Sequence, residues 1–285
     1  MFIVDAHVHL WKQQRGLATA GINGKSMVDG EVRQMMPPYM LDGFNSVEML
    51  VANMDYAGVS TAVITQEYLD GNQDEYLLEC KKKYADRVMI CSLYEKGKEL
   101  NIEGFDGIKI PAQRLEDKNL HNIADVFKKI EKSGKFLSID LMEGKGQTGY
   151  MKELIQECPR LRVAIGHFGM VTFRDWEEQI KLACNKNVYI ESGGITWLFN
   201  KEFYPYPSAV KAIKRAGEIC GTDKLMWGSD YPRTMVEITY KMSYDFILKS
   251  RTISETDKEL FLGKNALEFY GIREPVTLPV IKNML

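Results

Sequence analysis

The chain opens with the stretch FIVDAHVHLW, residues 2–11, an apolar run that carries two histidines one residue apart. Its β-branched and aromatic residues predict a buried strand, and a strand turns every second side chain to the same face. His7 and His9 are therefore expected to point to one side at the end of this strand. Two imidazoles placed in this way can hold one divalent metal, or can bind a reacting oxygen together.

Short β-branched runs alternate with longer amphipathic runs through eight cycles along the chain. Such alternation predicts a parallel sheet, and eight units predict a single (β/α)8 barrel of the TIM type with extra helices at its C-terminal end. The barrel is assigned to residues 1–273, since this fold needs roughly 250 residues. The predicted strands span residues 2–7, 61–66, 87–93, 107–110, 136–141, 162–166, 188–192 and 225–227.

Helices are predicted between and after these strands by apolar periodicity and by capping residues. They span residues 46–56, 73–84, 120–132, 148–157, 173–185, 208–219, 235–249 and 255–269. Two segments are left without helix or strand. Residues 12–45 form a predicted loop whose length favours a functional role, and residues 274–285 form a predicted tail that packs on the surface or on a partner.

Composition and charge narrow the range of partners. A net charge of −2 gives no electrostatic basis for binding nucleic acid. No apolar run approaches the ~20 residues of a membrane span, and no signal peptide is seen, since a predicted strand begins at residue 2. The 5 cysteines are widely spaced without a CxxC pair, which favours reduced thiols and a cytoplasmic location. We expect a small-molecule substrate and, since such barrels often pair, a homo-oligomer.

Polar side chains follow the predicted strands at the end where barrels of this type place their active sites. Only closure of the barrel would bring these residues together, because they are spread over the whole sequence. They are His7, His9, Lys109, Asp140, His167, Glu191 and Asp230.

Several of these residues lie in motifs that resemble the amidohydrolase superfamily. More narrowly, they resemble its amidohydrolase-related (amidohydrolase 2) branch of lactonases and nonoxidative decarboxylases, and the resemblance runs from Asp5 to Gly271. The motifs are His7-Val8-His9, Gly107-Ile108-Lys109, Ile165-Gly166-His167-Phe168-Gly169, Gly228-Ser229-Asp230-Tyr231-Pro232 and Asn265-Ala266.

The resemblance implies a set of roles. His7, His9 and Asp230 would be metal ligands, with His167 and Asp140 as further candidates. Asp230 and His167 would be catalytic, the first taking a proton from water and the second polarising the substrate carbonyl or acting in proton transfer. One divalent metal, zinc first and manganese next, would lower the pKa of a bound water.

One departure from the pattern of this branch leaves it open whether the protein uses a metal. Metal-dependent members carry a histidine at the end of the fifth strand, where this chain has Asp140. Metal-assisted and metal-independent chemistry are therefore both retained as interpretations. Without that histidine, Lys109 is interpreted as an ammonium that pairs with a substrate carboxylate or carbonyl, and a buried structural salt bridge is the alternative.

The favoured function is hydrolysis of a lactone of a small sugar acid or other carboxylated ring by direct attack of water. The alternative is a metal-dependent nonoxidative decarboxylase of an aromatic acid, and a third hypothesis is an inactive barrel that binds a sugar or a partner. The chain has no Gly-x-Ser-x-Gly elbow, which argues against a serine hydrolase. The predicted substrate-binding residues are Lys109, Trp11, Glu191, Trp197, Tyr231 and Arg233, with Arg15, Lys25, Arg33 and Arg114 as further cations near the barrel mouth.

Overall fold

The computed structural model describes residues 1–20, 24–28, 30–37, 40, 43–273 and 276–279. Strands and helices alternate as the sequence predicts. In chain order the strands are β1 (Val4–His9), β2 (Thr19–Ala20), β3 (Lys25–Val28), β4 (Glu31–Gln34), β5 (Thr61–Thr65), β6 (Val88–Leu93), β7 (Gly107–Pro111), β8 (Phe136–Asp140), β9 (Val163–Ile165), β10 (Val188–Glu191) and β11 (Leu225–Met226).

Eight of these strands form one parallel sheet in the order β1-β5-β6-β7-β8-β9-β10-β11. The sheet curls so that β1 meets the segment after β11, where the Ala6 N–H donates to the Trp227 carbonyl at 2.9 Å. Farther along, the His9 N–H donates to the Tyr231 carbonyl at 2.8 Å. The predicted (β/α)8 barrel is confirmed, and every strand end that carries a predicted polar residue lies at the same rim.

Helices surround the barrel. They are α1 (Val47–Ala57), α2 (Asp74–Lys83), α3 (Ala124–Ser133), α4 (Thr148–Glu157), α5 (Glu177–Ile180), α6 (Ile195–Leu198), α7 (Pro207–Cys220), α8 (Met242–Lys249), α9 (Glu255–Glu259) and α10 (Asn265–Tyr270). Capping fixes the first of them as predicted, since the Ser46 side chain accepts from the Met49 N–H and Gly58 ends the helix at a φ of 76°.

Three predicted helices are shorter or interrupted. The helix predicted over 173–185 is reduced to α5 followed by a 3-10 turn, and the one over 235–249 begins only at Met242. The helix over 255–269 is interrupted by a π-turn at Leu260–Lys264. A Cβ on Gly263 would lie 2.0 Å from the Phe2 carbonyl oxygen, so this turn lies directly against the start of β1. Contact with the barrel therefore overrides the sequence periodicity here.

The prediction of an unstructured loop over residues 12–45 is wrong in its centre. Strands β2, β3 and β4 form a three-stranded antiparallel sheet within it. Its base is fixed by backbone hydrogen bonds, from the Leu17 N–H to the Tyr68 carbonyl at 2.8 Å and from the Ala18 N–H to the Leu69 carbonyl at 3.0 Å. This sheet was not predicted from the sequence, because its strands are short and mostly polar. We call residues 15–36 the cap segment.

Among the described residues, no helix combines the length and the apolar character needed to cross a membrane. Of the predicted tail, residues 274–275 and 280–285 lie outside the described part of the chain. Its packing on the surface or on a partner therefore stays a prediction.

Asp5 joins the first strand to the segment after the last. Its Oδ1 accepts from the His7 N–H at 3.1 Å and from the Ser229 N–H at 2.8 Å, and its Oδ2 accepts from the Tyr240 hydroxyl at 2.7 Å. The side chain is fully buried, and burial raises its pKa to about 6 against the opposing effect of these hydrogen bonds. Asp5 thus provides one acceptor group for three donors at the seam of the barrel.

We expect Asp5→Ala to lower the free energy of unfolding by about 2–4 kcal/mol, because it leaves buried donors unsatisfied. Tyr240→Phe, which removes only one of the donors, should cost about 1 kcal/mol. Urea denaturation of both variants measures the difference. Equal effects of the two substitutions would contradict a role for Asp5 at the seam.

Candidate active site

A cavity of about 530 Å³ opens at the C-terminal ends of the barrel strands. The cap segment covers part of it, since Val28, Arg33, Gln34 and Met35 line its wall. The other lining residues include cationic, anionic and neutral side chains at strand ends and in loops: His9, His167, Asp230, Glu67, Gln113, Arg114, Trp197 and Arg233.

His7, His9 and Asp230 bring three ligand atoms together beside this cavity. The Nε2 atoms of the two histidines lie 3.0 Å apart, and Oδ1 of Asp230 lies 3.0 Å from His9 Nε2 and 3.8 Å from His7 Nε2. Ligands at ~2.0–2.1 Å around a tetrahedral zinc ion lie about 3.3 Å from one another. The three side chains are at most 4% exposed, so these donors fit a divalent metal by type, spacing and burial.

His7 is oriented by a carboxylate behind it. Its Nδ1 lies 2.6 Å from Oε1 of Glu191, whose Oε2 accepts from the Gly193 N–H at 2.5 Å. This contact places the ring proton on Nδ1 and leaves Nε2 unprotonated, with its lone pair available to a metal ion. Glu191 is 1% exposed, so the structure places it behind His7 and away from a substrate in the cavity.

His9 is held as a neutral imidazole. Burial, followed by the charge of Arg233, lowers its pKa to about 4. The Asn45 side-chain amide donates to the His9 carbonyl at 2.6 Å and fixes the backbone. The neutral ring is the form that binds a metal.

Asp230 remains ionised in spite of its burial. Burial raises its pKa, but the hydrogen bond and charge of His9, together with Arg233, hold that pKa well below its usual range. Its backbone has a φ of 61°, which side-chain-bearing residues rarely adopt. Such strained conformations are held where the surrounding contacts fix them, and they are common at functional sites.

His167 lies next to this group as a cation. Its Nδ1 donates to the Gly193 carbonyl at 2.9 Å, and its Nε2 lies 3.6 Å from Oδ2 of Asp140. Burial lowers the pKa of His167, but the charge of Asp140 and of further carboxylates raises it to about 10. An imidazolium at neutral pH is therefore present at the cavity wall, and its backbone also has a positive φ of 57°.

Lys109 and Asp140 form a buried ion pair. Nζ of Lys109 lies 2.6 Å from Oδ1 of Asp140, and the two side chains are 0% and 2% exposed. Burial raises the pKa of Asp140, but the charges of Lys109 and His167 hold it well below its ordinary value. Of the two interpretations of Lys109, the structure thus shows the buried salt bridge. Lys109 does not line the cavity. Asp140 also lies within metal-ligand spacing of His7 and His167.

The predicted substrate-binding residues divide into two groups. Trp197 and Arg233 line the cavity, and Nη2 of Arg233 pairs with Oδ2 of Asp70 at 2.6 Å. Trp11 and Tyr231 are fully buried and do not line the cavity, so their role at the substrate stays a prediction. Trp11 instead lies beneath Arg233, whose guanidinium carbon is 5.7 Å from the ring centre. Strand boundaries predicted these residues near the rim, but both lie beyond the ends of β1 and β11, where alternation no longer fixes which way a side chain faces.

The structure also places residues at the cavity that the sequence did not single out. Glu67 lines it beside Arg114, whose Nε lies 2.9 Å from Oε1 of Glu67. Glu67 follows a predicted strand directly, so its position at a strand end was an available signal. The position of Asp70 could not be predicted from the sequence, since only the folded loop brings it to Arg233.

Comparison with known proteins agrees with this architecture. The model of the family described as amidohydrolase matches residues 4–272. No curated protein matches the chain.

Solved structures with the same fold include a "probable 2-pyrone-4,6-dicarboxylic acid hydrolase" from Acinetobacter baumannii with citric acid bound. It is 19% identical, with a TM-score of 0.69, over 95% of this chain and 100% of that one. An amidohydrolase from Burkholderia multivorans with bound zinc is 14% identical, with a TM-score of 0.70, over 96% and 100%. A 5-carboxyvanillate decarboxylase from Novosphingobium aromaticivorans, in complex with manganese and a nitrobenzoic acid, is 16% identical, with a TM-score of 0.54, over 78% and 79%.

Removal of the Lys109 charge tests the buried ion pair. We expect Lys109→Met to lower the free energy of unfolding by about 3 kcal/mol, because it removes the ammonium 2.6 Å from the buried Asp140 carboxylate and leaves only the more distant His167 beside it. The double variant Lys109→Met/Asp140→Leu should recover part of this loss. Lys98→Met, at an exposed lysine that pairs with Glu95, should change stability by less than about 0.5 kcal/mol. Urea denaturation measures these free energies of unfolding. A Lys109→Met variant as stable as the double variant would contradict the pairing.

Proposed function

The chain belongs to the amidohydrolase family, and from this premise we propose that it hydrolyses a lactone of a small sugar acid or another carboxylated ring. The observation that carries the proposal is the convergence of His7, His9 and Asp230 beside a cavity that also holds His167 and Arg233. These groups supply a base, an electrophile and a cation for a substrate carboxylate within one pocket.

Asp230 is the group that takes a proton from the attacking water. It is an ionised carboxylate at the cavity wall, and its geometry is fixed by hydrogen bonds to both oxygens. Attack by the water oxygen on the lactone carbonyl forms the new C–O bond directly, with no covalent enzyme intermediate. The proton then passes to the ring oxygen as the old C–O bond breaks.

His167 stabilises the negative charge that develops on the carbonyl oxygen. Its imidazolium lines the cavity, and its Nδ1 is already satisfied by the Gly193 carbonyl. A charged donor that is fixed before reaction stabilises an oxyanion without the cost of reorganisation.

His7, His9 and Asp230 would hold a divalent metal in the metal-assisted form of this reaction. When bound there, zinc or manganese would act as a Lewis acid and lower the pKa of water. Glu191 would then support the site by holding the His7 ring in the ligating tautomer.

We propose that Arg233 and Arg114 bind the substrate carboxylate. Lys109, which the sequence suggested for this task, is instead buried in its ion pair with Asp140. Both line the cavity, and each keeps a carboxylate neighbour, Asp70 or Glu67, that fixes its position. Arginine suits this task because its planar guanidinium can bind a carboxylate through two hydrogen bonds.

Metal content is the first measurement. Protein purified without a metal-affinity tag is expected to carry about one equivalent of zinc or manganese by elemental mass spectrometry, as one three-ligand site requires. His7→Ala should lose it, whereas His121→Ala, at a surface histidine that pairs with Glu153, should retain it. A wild-type protein without metal would leave the chemistry to Asp230 and the histidines alone.

Turnover of a panel of sugar-acid lactones, carboxylated and uncharged, tests the reaction itself. We expect hydrolysis of carboxylated members, and we expect Asp230→Asn to lower kcat by about 10²–10⁴-fold because the base is lost. Ring opening is followed by proton release in weakly buffered solution. Release of carbon dioxide from benzoate-type acids, without lactone hydrolysis, would instead support the decarboxylase alternative that the manganese-bound structural neighbour suggests.

A further inference from the structure

Trp197 contacts the catalytic carboxylate directly. Its indole Nε1–H donates to Oδ2 of Asp230 at 2.9 Å, and its ring centre lies 6.0 Å from that of His167. An indole N–H can only donate and does not titrate in the ordinary pH range, so this contact always favours an ionised acceptor.

The chain is shaped locally to place this indole. Trp197 lies on α6, directly after the glycine pair that follows β10. Gly194 has a φ of 69°, and a Cβ at this position would lie only 1.6 Å from Nε1 of Trp197. A side chain at residue 194 would therefore displace the indole from Asp230, and the glycine is required by this close approach.

The two oxygens of Asp230 are divided between different partners. Oδ1 faces His9 and His7, at 3.0 and 3.8 Å, while Oδ2 is bound by Trp197. Without the indole N–H, the carboxylate could rotate about its Cβ–Cγ bond or turn both oxygens toward the histidines.

We propose that Trp197 is a positioning residue that fixes Asp230 with a single oxygen, Oδ1, turned to the two histidines. This inference rests on the proposed function, in its metal-assisted form, since it assigns Trp197 to a metal ligand rather than to the substrate. It differs from a role as an aromatic surface for a flat ring, because the contact that matters is the N–H donor and not the face of the indole.

Trp197→Phe separates these roles, since phenylalanine keeps an aromatic face and removes the donor. Calorimetric titration of metal-stripped protein is the measurement of Zn²⁺ affinity for this test. We expect Trp197→Phe to bind Zn²⁺ about 10- to 100-fold more weakly, the usual effect of losing a hydrogen bond to a metal ligand. Trp11→Phe is the matched control, because Trp11 donates its indole N–H to the Gly43 carbonyl at 2.8 Å and does not contact Asp230. It is expected to bind Zn²⁺ as the wild type does.

A second measurement keeps the proposal testable if Trp197→Phe fails to fold. In protein with ¹⁵N-labelled tryptophan, the Trp197 indole resonance should move in Asp230→Asn, where the acceptor loses its charge, while the Trp11 resonance stays in place. Wild-type Zn²⁺ affinity in folded Trp197→Phe, or an unmoved indole resonance, would overturn the proposal.

The same titration distinguishes this inference from the proposed function. A wild-type chain that binds no Zn²⁺ would overturn the role assigned to Trp197, whatever the lactone assay shows. Weaker binding by Trp197→Phe alone, in a protein that opens no lactone, would support the positioning role and reject the proposed substrate.

Discussion

Closure of the barrel between β1 and the segment after β11 is the constraint on which the site depends. His9 and Asp230 are 221 positions apart in sequence, yet their side chains lie 3.0 Å apart. Three backbone hydrogen bonds fix this seam, one of them from the Asp230 N–H to the His7 carbonyl at 2.9 Å. Asp5 adds a side-chain acceptor beneath it. The metal-ligand spacing is therefore a property of strand pairing, and it is lost wherever the seam opens.

Burial of charge is the second organising feature, and each buried charge at the rim has a partner. Lys109 is paired with Asp140, Glu191 with His7, and Arg233 with Asp70. Removing an ion from water is costly unless geometry and hydrogen bonds compensate, so each of these charges depends on its own partner. Their effect on chemistry is indirect but strong, because fixed charges around the cavity hold Asp230 as an anion and His167 as a cation.

The sequence predicted the barrel, the order of its strands and the ends at which His7, His9, His167 and Asp230 lie. Those predictions depend on alternation and strand boundaries, which are local properties. Partners could not be predicted in the same way, because they depend on which strands become neighbours and in what register. Thus the burial of Trp11 and Tyr231 behind the cavity wall was not predicted. The small sheet of the cap segment was missed because contacts with residues 68–69 stabilise it.

The cap segment is joined to the barrel through backbone groups at its base, whereas the catalytic groups belong to strand ends and the turns after them. The exposed side chains of β3 and β4, which include Met27, Val32 and Arg33, can therefore be exchanged without disturbing either the seam or the buried ion pairs. Arg33, Gln34 and Met35 line the cavity, so substitutions at these positions change the surface that a substrate meets while the groups at the strand ends stay as they are.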